Sequence, residues 1–209
     1  TIKLLKNGVK RILLEKPGAL NVDGLKLIRK VAKIRGSNVL IGYAAGQSTT
    51  TNNSNIAIGA QSLCTSPAVR SYCVGIGHQA LYSWNGDMNT AIGYVAAQYC
   101  HGAYNTAVGG FALQGASSAQ GPDYSVAVGY LAGRYQGESD YNIWIGSKSG
   151  PQTSGTIGSQ TGDDNIAIGQ LALSKITSGR NNVCIGYKSG EDLTTGQYNT
   201  CIGSEGGIN

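Results

Sequence analysis

Along residues 37–209 the apolar positions follow one short rhythm. A five-residue word, Asn-x-small-(Ile/Val)-Gly, recurs as Asn38–Gly42, Asn55–Gly59, Cys73–Gly77, Asn89–Gly93, Asn105–Gly109, Ser125–Gly129 and Asn142–Gly146, then in a worn copy at Ser154–Gly158, and again as Asn165–Gly169, Asn182–Gly186 and Asn199–Gly203. The closing glycines are separated by 17, 18, 16, 16, 20, 17, 12, 11, 17 and 17 residues. Within each word the β-branched residues alternate with a small one, as Ile56 and Ile58 do around Ala57. That period of two predicts a short strand with one apolar face. The Gly ends the strand with an unusual φ or a close backbone approach. Three positions after it stands another small residue, Ala, Ser, Thr or Gly.

A unit of about 17 residues is too small to bury its own apolar face, and stacking successive units at about 4.8 Å builds one continuous core. The expectation is an all-β repeat solenoid, one coil per repeat, eleven layers and about 50 Å long. The recurrent Asn then lies above its predecessor and is expected to form a side-chain amide ladder. Tyrosine keeps the same period: Tyr72, Tyr104, Tyr124, Tyr141 and Tyr198 precede a word, and Tyr43, Tyr94, Tyr130 and Tyr187 follow its Gly. Two aromatic rows are expected, packing between layers or chains, with a sugar-stacking surface as the sharper alternative.

The word, its spacing and the small residues after the Gly resemble the head repeats of trimeric autotransporter adhesins, whose NTAIG-type words also occur in bacteriophage tail-fibre and spike proteins. The resemblance covers about residues 37–209. It implies a left-handed parallel β-roll with three chains about a common axis, in which Ala57, Ala91, Ala107, Ala127 and Ala167 serve trimer or core packing. The irregular spacing favours the phage-fibre variant, while Cys73, the Ser154 copy and Trp144 depart from the pattern. The function implied is a non-enzymatic structural protein of a virion, assembled in the host cytoplasm, that presents loops for host attachment. A bacterial cell-surface adhesin head is the alternative. An ice-binding solenoid ranks third, because its flat face needs a regular Thr array and Thr90, Thr106 and Thr200 are scattered among Ile, Val and Ser.

Composition and charge narrow the rest. Only 13% of residues are charged and 32 are Gly, which disfavours both a helical bundle and a disordered chain. Residues 1–36 carry ten Lys/Arg against Glu15 and Asp23, a net +8, whereas the remainder carries six basic and nine acidic groups, a net −3. This short basic stem, with a hairpin signal at Asn7-Gly8 and a run at Leu25–Gly36 readable as helix or strand, is expected to dock or trimerise the chain against other tail or baseplate proteins. It lacks the interleaved aromatics of single-strand nucleic-acid binders, and no apolar run is long enough to span a membrane, so neither partner is expected.

Chemistry is sparse. His78 and His101 show no zinc spacing, and the Glu138/Asp140 pair is a weak candidate for glycoside hydrolysis, so no catalytic, metal or cofactor residues are expected. Cys184 and Cys201 hold the same position of consecutive words, about 5 Å apart, within reach of a disulfide, although free cysteine in place of alanine is the favoured reading. Receptor or glycan contact is assigned to Tyr82, Trp84, Tyr99, His101 and Tyr135, which follow their repeat glycines by five to eight residues. Similar offsets in stacked coils would bring Trp84, Tyr99 and His101 to one edge.

Overall fold

The computed structural model describes residues 38–47, 54–65, 71–83, 86–115, 121–152 and 162–207. The basic segment 1–36, the worn copy Ser154–Gly158 and Trp84 lie outside the described residues. Ten three-residue strands coincide with the ten intact words: β1 Val39–Ile41, β2 Ile56–Ile58, β3 Val74–Ile76, β4 Thr90–Ile92, β5 Thr106–Val108, β6 Val126–Val128, β7 Ile143–Ile145, β8 Ile166–Ile168, β9 Val183–Ile185 and β10 Thr200–Ile202. They form one parallel sheet in strict chain order, so the chain is an all-parallel β-solenoid with no helix among the described residues. Every pairing is in register, as in Thr90↔Thr106, Ala91↔Ala107 and Ile92↔Val108. Nine such steps span about 43 Å at ordinary strand spacing. β7 pairs directly with β8, Trp144 opposite Ala167, so the sheet of the described residues has ten layers where the repeat count led to an expectation of eleven.

The word sets the coil's corner. Its Gly takes φ of +137 at Gly129 and +129 at Gly59, a region that residues with a Cβ avoid. A methyl group on Gly129 would also lie 2.6 Å from the Gly146 carbonyl oxygen of the next layer. Left-handed residues recur on either side, at Tyr104, Tyr124 and Tyr141 before the word and at Val95, Phe111 and Leu131 after it.

The core is filled from two sides in complementary volumes. Ala57, Ala91, Ala107, Ala127 and Ala167 are fully buried inside the single chain. In most Ala and Gly layers the space is filled by a buried side chain four residues after the Gly, such as Leu63, Leu81, Leu113 or Leu173. Where the strand residue is larger, that position becomes Gly: Leu40 with Gly46, Trp144 with Gly150, Cys184 with Gly190 and Cys201 with Gly207. Side chains on Gly133 and Gly150 would each meet the Trp144 indole at 2.5 Å, and this is how an oversized residue fits the small position. Its ring nitrogen donates to Gln136 Oε1 at 2.5 Å.

Buried polar groups are joined layer to layer. Asn142 Oδ1 accepts the Asn165 N–H at 2.9 Å, and the Asn165 and Asn182 oxygens accept from the next Asn at 3.1 and 3.0 Å. The side-chain amides link as well, Asn182 to Asn165 and Asn199 to Asn182 at 2.9 Å each, giving the expected ladder in the last four layers. Ser125 holds the Asn place in β6's word, and its hydroxyl accepts the Asn142 N–H at 3.2 Å. The small residue three after the Gly is buried in the first nine of the ten described layers, and where it is Ser its hydroxyl donates to a strand carbonyl, Ser149 to Ala167 at 2.9 Å and Ser189 to Cys201 at 2.8 Å.

Candidate functional site

Because the middle residue of each strand points inward, its two neighbours point out. The outer face of the sheet is therefore two columns of β-branched residues running along the stack. One contains Thr90, Thr106, Val126 and Ile143, and the other Ile92, Val108, Val128 and Ile145. Ile41, Ile92, Ile145, Ile168 and Ile185 keep 36–39% of their surface exposed. The small alanines thus pack inside one coil, and the surface left for another molecule is the β-branched one. The reason is volume: leucines reaching across from the turn already occupy the interior.

Tyrosines flank both columns. Tyr104, Tyr124 and Tyr141 stack face to face, with centroids 4.7 and 5.1 Å apart and planes within 3°. On the other flank His78 stacks on Tyr94 at 5.4 Å, and Phe111 bridges edge-on between Tyr94 and Tyr130. Most of the flanking tyrosines are about half exposed, Tyr43 and Tyr198 more so. Partial desolvation first, and then crowding by Tyr104, Tyr141 and the aspartates beside it, holds the Tyr124 phenol above its usual range.

Beside the stacked rings runs a row of carboxylates. Asp123 Oδ1 accepts the Ala103 N–H at 2.6 Å, Asp140 the Asp123 N–H at 2.8 Å and Asp163 the Asp140 N–H at 2.9 Å. Asp140, the middle member, is pushed up from the usual carboxylate range by burial first, and then by the charges of Asp123 and Asp163. Asp140 is thus engaged in the ladder, while Glu138 faces solvent. Among the described residues no group of three His, Cys, Asp or Glu is placed to hold a metal ion.

Inter-layer bonds place Tyr82, Tyr99 and Tyr135 among the assigned contact residues. Ser83 N–H bonds the Gln98 carbonyl, Tyr99 N–H that of Gln114, and Gly115 N–H that of Arg134. These bonds put Tyr82 in the column of Gln98, Gln114 and Arg134, and Tyr99 in the next column, two layers from Tyr135 with Gly115 between. The Arg134 guanidinium lies 4.8 Å from the Tyr135 ring and 5.2 Å from that of Phe111. It also ends a chain of side-chain hydrogen bonds from Gln61 through Gln79, Gln98 and Gln114. Tyr82, Tyr99, His101 and Tyr135 are all half-buried.

Sequence reasoning missed the outer columns, the carboxylate row and the Gln–Arg chain. The first had a signal: the fourth residue of the word is always Ile or Val, whereas the third varies among Leu, Ala, Gly, Trp and Cys as an interior position does. No protein-family model matches the chain, and no curated protein or solved structure matches it significantly.

Proposed function

We propose that the chain is a non-enzymatic structural protein of a virion, a homotrimeric tail fibre or spike that carries loops outward for attachment to the host cell. One observation carries this reading. The outer face of the sheet keeps a continuous, partly exposed β-branched surface over all ten layers, and tyrosines flank eight of them. Contiguous apolar surface of this kind marks an interface, and copies of a rod with the same face along its length bury it by association about a common axis. The resemblance of the words to adhesin-head and phage-fibre repeats supports the same assembly. In this reading residues 1–36 dock to tail or baseplate proteins, and the loops between words meet a host glycan or protein. The resemblance covers the head of a bacterial surface adhesin equally, and that is the second reading.

The test is the native mass by light scattering on gel filtration, with and without high salt to screen contacts through the basic segment. A salt-resistant mass near three chains is expected. A well-folded monomer overturns the proposal.

A further inference from the structure

We propose that Cys184 and Cys201 are a modification site, a thiol pair built to close as a disulfide across the last two coils on meeting a small disulfide oxidant of the glutathione class. The two residues are register partners in β9 and β10. Neighbouring strands hold their backbones about 4.8 Å apart, inside the range a disulfide spans. Both side chains point into the coil, and the thiols lie within hydrogen-bonding reach of each other. Gly190 and Gly207 stand beside the two sulfurs, and a side chain on Gly190 would meet Cys184 Sγ at 2.6 Å, so both sulfurs sit inside the coil in space that the glycines leave.

The other three thiols differ. Cys64, Cys73 and Cys100 are buried and do not lie opposite a cysteine in any strand pairing of the sheet, whereas Cys201 is the one cysteine of the five that is only half-buried. An oxidant therefore reaches Cys201 first. Its thiolate attacks one sulfur of the small disulfide and expels a small thiolate. Cys184 gives its proton to solvent base and attacks the Cys201 sulfur of the mixed disulfide, expelling the second small thiolate. Two protein thiols are oxidised and one small disulfide is reduced to two thiols, with no further electron carrier. Burial and the adjacent sulfur push the Cys184 thiol up to about 12, which makes the second attack the slow one.

The bond would clamp an edge layer of the described sheet to its neighbour. Ile202 is 72% exposed and Gly203 has no neighbour within 4 Å on its open side, so among the described residues β10 is held from one side only. Such a layer opens before the rest of the stack.

The experiment treats reduced protein with oxidised glutathione. Expected are loss of two hydrogens in intact mass, a fall in titratable thiols from five to three, and a linked pair of tryptic peptides carrying Cys184 and Cys201. Amide exchange over residues 198–207 should slow at least about tenfold, reversed by dithiothreitol, while the layers around Ala107 are unchanged. In Cys184→Ser a glutathione adduct should persist on Cys201. A persistent adduct in the unsubstituted protein, a link involving Cys64, Cys73 or Cys100, or an unchanged mass each overturns the proposal.

Discussion

Gly129 and Gly203 share a left-handed backbone but not a neighbour. Gly129 has φ +137 and the next layer's carbonyl against it, whereas Gly203 has φ +118 and open space. Gly129→Ala should therefore cost about 3 kcal/mol or more, conformational strain and a backbone clash together, and Gly203→Ala only the strain, about 1–3 kcal/mol. Chemical denaturation of the two variants separates the terms, and equal losses would mean that the layer contact contributes nothing. Asp140 gives the second test at this scale. Its folded-state pKa is raised, so the native state holds the proton more tightly than the unfolded chain. This group's contribution to stability is greatest below the unfolded carboxylate range and falls as pH rises through the folded pKa. Asp140→Asn keeps an oxygen for the Asp123 N–H and removes the middle charge. It should raise the melting temperature near neutrality and flatten its rise on mild acidification.

At the scale of one coil, the strand residue and the position four beyond the Gly behave as a single volume. Trp144→Ala should cost about 3–5 kcal/mol through the cavity it leaves. Adding Gly150→Leu converts the layer to the arrangement of Ala107 with Leu113 and should recover much of that loss. Leucine holds this position at φ 45–51 in Leu63, Leu81, Leu113 and Leu173, so Gly150, at φ +77, must move only within the left-handed region to accept it. Gln136, left without its indole donor, sets the shortfall. Denaturation midpoints of the single and double variants measure the recovery, and no recovery would refute the shared volume. The exchange also explains what could be read from the chain. The strand, the corner glycine and the Asn ladder are local consequences of one word, so a period of two and a repeat suffice to find them. Which side of Ala57 faces inward is decided by Leu63, six residues on and across the coil, and alternation alone does not say so. The columns, by contrast, follow the offset from the repeat glycine: Tyr82, Gln98, Gln114 and Arg134 lie five residues after theirs, and Tyr99 and Tyr135 six after theirs.

For the whole molecule, the inward and outward positions make opposite predictions. Ala91→Asp buries a charge in a closed interior and should prevent folding. Ile92→Asp, one residue on, places the charge on the partly exposed face and should leave the coil folded while lowering the native mass of the proposed trimer from three chains to one. Circular dichroism beside light scattering reads both, and a folded Ile92→Asp trimer would move the interface elsewhere.

The register of the sheet also dictates how such a rod bears load. Its main-chain hydrogen bonds run from layer to layer, along the direction in which the coils accumulate. A pull on the two ends meets these bonds in series rather than side by side, so the rod resists no more strongly than its weakest layer. A coil that lets go releases about 50 Å of slack, the extended length of some 17 residues less the one layer they occupied. Tension is thus absorbed in discrete lengths while the remaining coils stay closed.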